Sequence, residues 1–249
     1  MVPSSVLNFE DAQVSKSPET LCGWGAAVNT MTAMPDTPTA VLFDMDGVIV
    51  NSEDYWHIFE EETLFPETLG DIRPENDEIT GMNYREIYDY LDETYGTTVT
   101  KAEFIDLYNE TSKTIYGEQV EIMDGFDRLT GTLRDRGTKL AIVSSAPKSW
   151  IQTTIDRFEL GPFDLVLSAE DIDAPGKPEP HIYEHAAAEV DTDPEDCTVV
   201  EDSEHGATSA ARAGTYVVGY RTEANAETDL SMADVVVNGP QELRAELLD

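Results

Sequence analysis

The chain has 249 residues, enough for one large domain with a smaller one attached, and 40% of them are apolar, so a sizeable core is available. Asp and Glu number 51 against 15 Lys and Arg, a formal net charge of -36 spread along the whole length. Nucleic acid and anionic membranes are thereby excluded as general partners, because both repel such a surface, and the composition fits a salt-adapted, halophile-like protein.

Residues 1–35 are rich in Ser, Thr and Pro without a clear period, and Met31 and Met34 stand just before the first strand. This leader is expected to be disordered, or to be an upstream start. It lacks a basic segment followed by an apolar one, and no apolar run approaches the length of a membrane span. Cys22 and Cys197 are far apart and outside any CxxC spacing. Thiols without a chemical role, a reducing compartment and a cytoplasmic location are expected.

Residues 39–43 read as a buried strand that runs into Asp44 and Asp46 of DMDG. Residues 52–123 are helical in pattern (YWHIFEEETLF, NYREIYDYLDETYG, KAEFIDLYNETSKTIYG) with no convincing strand. The alternation that follows is regular. A helix at 126–136 precedes a strand at 139–143 and the pair Ser144-Ser145. A helix at 149–158 precedes a strand at 163–167, and a helix at 180–189 precedes a strand at 198–200 and the pair Glu201-Asp202. After a helix at 206–213, strands are expected at 215–220 and 234–237. Gly137 and Gly214 follow helical runs where a left-handed cap is wanted. The fold expected is α/β, a Rossmann-like parallel sheet with helices on both faces, built from residues 36–51 and 124–249. Residues 52–123 form an inserted all-helical cap, hinged near 50–53 and 124–126 and placed as a lid over the sheet edge.

In such sheets ligands bind beyond the carboxyl ends of the strands. That edge collects Asp44, Asp46, Ser144, Glu201 and Asp202. Lys177, one of six lysines, joins them from GKPEPHIY, whose prolines stiffen the loop and turn the ammonium inward. Singly these residues read as an Asx turn, a helix cap and a solvated lysine. Together, four carboxylates around one ammonium cannot all stay ionised without a cation. Hard oxygen ligands, with no His or Cys in the cluster, point to Mg²⁺. A metal beside a nucleophilic carboxylate suits phosphoryl transfer through an aspartyl-phosphate.

In this order the motifs resemble those of the haloacid dehalogenase superfamily of phosphohydrolases, in the subclass with a helical cap after the first motif. The match covers roughly residues 39–240. The resemblance implies that Asp44 is the nucleophile and that Asp46 is the acid for the leaving group and then the base for water. It implies that Ser144, with the backbone N–H of Ser145, and Lys177 hold the phosphate. Asp44, Asp46 (through its backbone carbonyl), Glu201 and Asp202 would bind Mg²⁺. The second aspartate favours phosphate chemistry over carbon–halogen cleavage.

The function expected is hydrolysis of a small phosphorylated metabolite: a sugar phosphate, glycerol phosphate or phosphoglycolate. The protein is expected to be a monomer or small homo-oligomer with no nucleic-acid or membrane partner. A β-phosphoglucomutase-like activity is the alternative. Those mutases carry a cap histidine and a cap arginine at the places of Trp56 and Tyr84 here, with His57 and Arg85 one residue late. A one-residue bulge would restore both. A silent metabolite-binding relative is disfavoured, since such relatives lose the nucleophile, the acid or the lysine. Cap residues expected to read the substrate are His57 and Arg85, with Tyr55, Asn83 and Tyr84 beside them.

Overall fold

The computed structural model describes residues 38–74, 78–79 and 82–249. The leader and Cys22 lie outside these. Six strands form one all-parallel sheet in the order β3-β2-β1-β4-β5-β6. They are β1 (Ala40–Phe43), β2 (Lys139–Ser144), β3 (Leu165–Ser168), β4 (Cys197–Glu201), β5 (Tyr216–Arg221) and β6 (Val235–Asn238). Each lies within two residues of its expected place. The difference that matters is at two strand ends, where Ser144 and Glu201 are the last ladder residues rather than loop residues.

Strand alternation builds two separate cores. Val41, Phe43, Ile142, Val200 and Val218 face one side, packed with Phe126, Leu129 and Leu133 of α5 (Phe126–Asp135) and Leu243 of α9 (Gly239–Leu248). Ala40, Leu42, Ala141, Val143 and Val199 face the other. There they meet Ile182 and Ala186 of α7 (His181–Glu189) and Ala207 and Ala210 of α8 (Glu204–Ala213). All four residues of β1 are fully buried, as a central strand covered on both faces must be. The order in which the chain adds strands reverses between β1 and β4, which opens a crevice beyond their carboxyl ends.

Between β1 and β2 the described chain is helical. Helix α1 (Ser52–Phe59) runs through a π-helical turn, Glu60–Leu64, into α2 (Phe65–Leu69). Helix α3 (Tyr84–Thr94) is capped by Asn83, and α4 (Lys101–Thr114) opens on a Thr100/Glu103 capping box. A second π-helical turn, Ile115–Gln119, ends α4. The two connectors of this insertion run side by side: Met123 N donates to Ile49 O at 2.8 Å and Asn51 N to Glu121 O at 3.2 Å. Helix α6 (Lys148–Phe158) follows β2 and carries Trp150 against the insertion's aromatic residues. Among the described residues no helix is long and apolar enough to cross a membrane.

Candidate active site

The backbone N–H of Asp44, the residue after β1, donates to Val200 O at 3.0 Å, which extends the pairing of β1 with β4 by one step. Lys177 Nζ bridges the two strands, 2.6 Å from Asp44 Oδ1 and 2.5 Å from Glu201 Oε1. All three side chains are buried. Tyr183 Oη also donates to Glu201 Oε1, at 2.7 Å, while Glu201 Oε2 accepts from Asp202 N, Ser203 N and Ser203 Oγ at 3.1–3.3 Å. Burial opposes ionisation of Glu201, but Lys177 and these donors outweigh it and hold its carboxyl below the usual range. Burial likewise opposes the ammonium, yet Asp44 and Glu201 hold Lys177 well above its ordinary value. Lys177–Glu201 is thus the standing ion pair. Asp44 is pushed up to about 8, first by burial, with Lys177 pulling it down and Glu201 and Asp46 pushing it further up. It needs another positive charge to be a full anion at neutral pH.

Asp46 faces a different set of groups. Its Oδ1 accepts from Ser52 Oγ and Tyr116 Oη, both at 2.6 Å, and its Oδ2 accepts from Ser144 Oγ at 3.4 Å. Trp56 Nε1 in turn donates to Tyr116 Oη at 3.0 Å. Burial raises the Asp46 carboxyl, and the Ser52 and Tyr116 hydrogen bonds hold it back. Ser144 is fully buried at the end of β2, and its Oγ also accepts from Ala146 N at 3.0 Å, fixing the loop start. The carbonyl of Ser145 accepts from Asn83 Nδ2 at 2.8 Å, so the α3 cap is fastened to that loop.

Asp202 is 5% exposed, and its carboxylate accepts no hydrogen bond from the described residues. Burial, then Glu53, Glu201 and Asp44, raise it well above the carboxylate range. It presses on Gly47, whose φ of +74° and missing Cβ allow the approach: a Cβ there would lie 1.9 Å from Asp202 Oδ2. Buried carboxylates in this state lack a counter-ion. The donor set fits Mg²⁺, which takes one or two carboxylates and keeps several waters. Among the described residues no three His, Cys, Asp or Glu side chains converge as a complete cage. Asp44 and Asp202 are the carboxylates left for it. Those of Glu201 and Asp46, expected to join them or stand beside them, are engaged by Lys177, Tyr183 and Ser203 in one case and by Ser52, Tyr116 and Ser144 in the other.

A cavity of about 70 Å³ lies over these groups, roughly twice the ~30 Å³ share of one liquid water. Its floor is Asp44, Asp46, Ser144, Ser145, Lys177 and Asp202; its roof is Trp56, Tyr84, Tyr108, Tyr116 and Trp150, with Glu53 and Glu60 among them. Trp56 is sandwiched between Tyr108 (5.1 Å) and Trp150 (5.2 Å).

His57 and Arg85, expected to read the substrate, are not on this wall. Helix α1 is regular through Phe59, so no bulge brings His57 inward; one residue on from Trp56 it has turned about 100° away. It lines a second cleft with Glu61, Glu204 and His205, its Nδ1 buried without a hydrogen-bond partner among the described residues. Arg85 points out to Glu170 at 3.3 Å, with its guanidinium 5.1 Å from the centre of the Tyr84 ring. Trp56 and Tyr84 occupy the cavity instead. Tyr55 packs against the core.

Sequence reading missed Glu53, Glu60, Tyr108, Tyr116, Trp150 and Tyr183. Glu60 opens one π-helical turn and Tyr116 lies in the other. Glu53, Trp56 and Glu60 nonetheless stand at i, i+3 and i+7, so helical spacing alone could have placed both acids beside Trp56. Tyr183 was legible in principle, as the last residue of GKPEPHIY.

A Rossmann-like sheet with a helical insertion over its strand ends, and acids, a lysine and a serine beneath it, defines the class of α/β hydrolases with an inserted cap. The chain belongs to the haloacid dehalogenase-like hydrolase family, whose profile matches residues 41–220. It is 28% identical over 223 residues to β-phosphoglucomutase of Bacillus subtilis (strain 168), covering 84% of this chain and 93% of that one. It is 27% identical over 215 residues to hexitol phosphatase B of Escherichia coli (strain K12), covering 83% and 95%. The crystal structure of CbbY from Rhodobacter sphaeroides in complex with phosphate superposes with a TM-score of 0.67 at 20% identity, covering 81% and 94%, a likeness of fold.

Proposed function

We propose that this protein is a Mg²⁺-dependent phosphatase that hydrolyses a small phosphorylated metabolite through a phosphoryl group carried on Asp44. The observation behind this is the division of labour between the two aspartates. Asp44 is held by an ammonium, beside an Asp202 carboxylate that accepts no hydrogen bond from the described residues, while Asp46 is held by the hydroxyls of Ser52, Tyr116 and Ser144. Membership of the family and relatives named as phosphatases support a phosphoric monoester hydrolase.

Asp44 and Asp202, with the backbone carbonyl of Asp46, would hold Mg²⁺, which supplies positive charge to ionise Asp44 and to neutralise phosphoryl oxygens. Lys177 and Ser144, with the Ser145 N–H, bind the remaining oxygens. A carboxylate oxygen of Asp44 attacks phosphorus as the ester P–O bond breaks, and Asp46 gives its proton to the departing alkoxide. Asp46 then takes a proton from water, whose oxygen attacks phosphorus, releasing inorganic phosphate and restoring Asp44. Glu201 and Tyr183 act behind this, fixing Lys177. Residues 52–123 act as a cap over a core of residues 36–51 and 124–249, and admit substrate by opening. We place the enzyme in a salt-rich cytoplasm, as a monomer or small homo-oligomer.

Phosphate migration in the manner of a mutase is disfavoured, because Trp56 and Tyr84 face the cavity where those enzymes carry histidine and arginine. The test is Mg²⁺-dependent phosphate release from p-nitrophenyl phosphate and from a metabolite panel at high KCl. A second arm uses β-glucose 1-phosphate with a trace of the bisphosphate. Glucose 6-phosphate appearing faster than free phosphate reverses the choice.

A further inference from the structure

The roof of the cavity carries two carboxyl groups, Glu53 and Glu60, with no cation beside them to match among the described residues. Glu60 is 6% exposed, and its Oε1 accepts from Tyr108 Oη at 3.0 Å. Among the described residues it forms no ion pair. Glu53 lines the same wall, and its nearest basic group, His57 Nε2 at 4.0 Å, is held below its usual pKa by burial and so stays neutral. The one cationic side chain on the wall among the described residues is Lys177, already committed to Asp44 and Glu201 on the floor. Arg85, the cap cation expected to read the substrate, points out to Glu170.

Buried carboxylates in folded proteins are paired, because leaving one unpaired among rings costs far more than its hydrogen bonds return. Among the described residues no cation stands beside Glu60, and the carboxyl lines the cavity. Mg²⁺ and Lys177 are matched by Asp44, Asp202, Glu201 and the phosphate itself, so neither is left for Glu60. A carboxylate or second phosphate on the leaving group would find no cation on that wall and would have to share it with Glu53 and Glu60, whereas an amine would favour their ionised form.

We propose that the alcohol released by this enzyme carries a positively charged amine and no second anionic group, and that Glu60 receives that amine beneath Trp56 and Tyr108. This rests on the phosphatase reading and narrows its substrate class to phosphate monoesters of amino alcohols or amino sugars, against phosphoglycolate and bisphosphates.

Three esters of matched size separate the charges: O-phosphoethanolamine, 2-hydroxyethyl phosphate and phosphoglycolate, assayed with Mg²⁺ at constant ionic strength. In the wild-type enzyme kcat/KM is expected to favour the amine over the hydroxyl ester by about tenfold or more, with the carboxylate ester slowest. Glu60→Gln is expected to bring the amine-to-hydroxyl ratio towards one. A hydroxyl or carboxylate ester equal to or ahead of the amine in the wild type overturns the charge assignment and leaves the phosphatase standing. So does an unchanged ratio in Glu60→Gln. No turnover of these esters or of p-nitrophenyl phosphate overturns the phosphatase reading and this inference together.

Discussion

The hydroxyl of Tyr116 donates to Oδ1 of Asp46 across 2.6 Å, joining residues 70 positions apart in the chain. Tyr116 sits at the far end of the helical insertion and is itself held by Trp56 Nε1. The roof therefore sets the protonation of the group beneath it. A donor to a carboxylate favours the ionised form, and such bonds are worth about 1.5–3 kcal/mol. Tyr116→Phe removes it, so the pH–rate limb belonging to Asp46 is expected to move to higher pH, with kcat lowered about tenfold. A limb that does not move removes Tyr116 from any part in proton transfer.

Asp44→Asn is expected to abolish turnover by a factor of about a thousand or more while leaving the thermal midpoint at or above that of wild type. The amide keeps the shape and discards the nucleophile. It also discards a buried acid whose ionisation is costly. Phosphate release near the wild-type rate would end the covalent mechanism.

Lys177→Met leaves Asp44 and Glu201 facing each other without a cation. Loss of one partner of a buried pair costs about 3–5 kcal/mol, and chemical denaturation is expected to report a loss of that size. Adding Glu201→Gln removes the stranded charge and should recover part of it. A double variant no more stable than the single one would show that packing, not charge, holds this corner.

Glu60 has its pKa raised to about 7, chiefly by burial, with Tyr108 lowering it and Glu61 raising it. The folded value lies above the ordinary 4.5, so the folded state keeps its proton longer than the unfolded chain. The cost of ionising Glu60 is absent below pH about 4.5, grows as pH rises through about 7, and reaches at most about 3 kcal/mol. Glu60→Gln is expected to raise the thermal midpoint at pH 8 and leave it nearly unchanged at pH 4.5. Glu53, Glu61 and Tyr108 face the same position, so the comparison is made within one variant across pH. A gain equal at both pH values would show that Glu60 does not titrate in this window.

Gly47→Ala tests the approach of Asp202. Both Gly47 (φ +74°) and Gly70 (φ +69°) have left-handed backbones, but only at Gly47 does a Cβ meet a side chain, 1.9 Å from Asp202 Oδ2. Both positions carry the strain of a side chain at positive φ, so Gly70→Ala is the control for backbone cost. Gly47→Ala alone is expected to raise the Mg²⁺ concentration for half-maximal activity about tenfold or more. An equal effect from Gly70→Ala would mean that Asp202 does not serve the metal.

Much of this was legible along the chain. Buried runs ending in DMDG, Ser144 and Glu201-Asp202 place acids and a hydroxyl at strand ends, and a parallel sheet has one place to bring strand ends together. Less legible was which carboxylate does what. Glu201 and Asp202 are adjacent in sequence, yet one carboxylate is held by Lys177, Tyr183 and Ser203 and the other accepts no hydrogen bond from the described residues. His57 and Arg85 stand off the cavity wall, where Trp56 and Tyr84 lie, because helical phase rather than residue type decides what faces inward.

The sequence by itself determined the sheet, the helical insertion and the set of residues at the strand ends. These follow from local signals: apolar runs, turn glycines and a 3.6-residue period. Only the tertiary structure decided the pairing of Lys177 with Glu201, the isolation of Asp202 and the acidic, ring-lined roof. Those depend on distances between residues far apart in the chain, and electrostatics acts through space rather than along sequence.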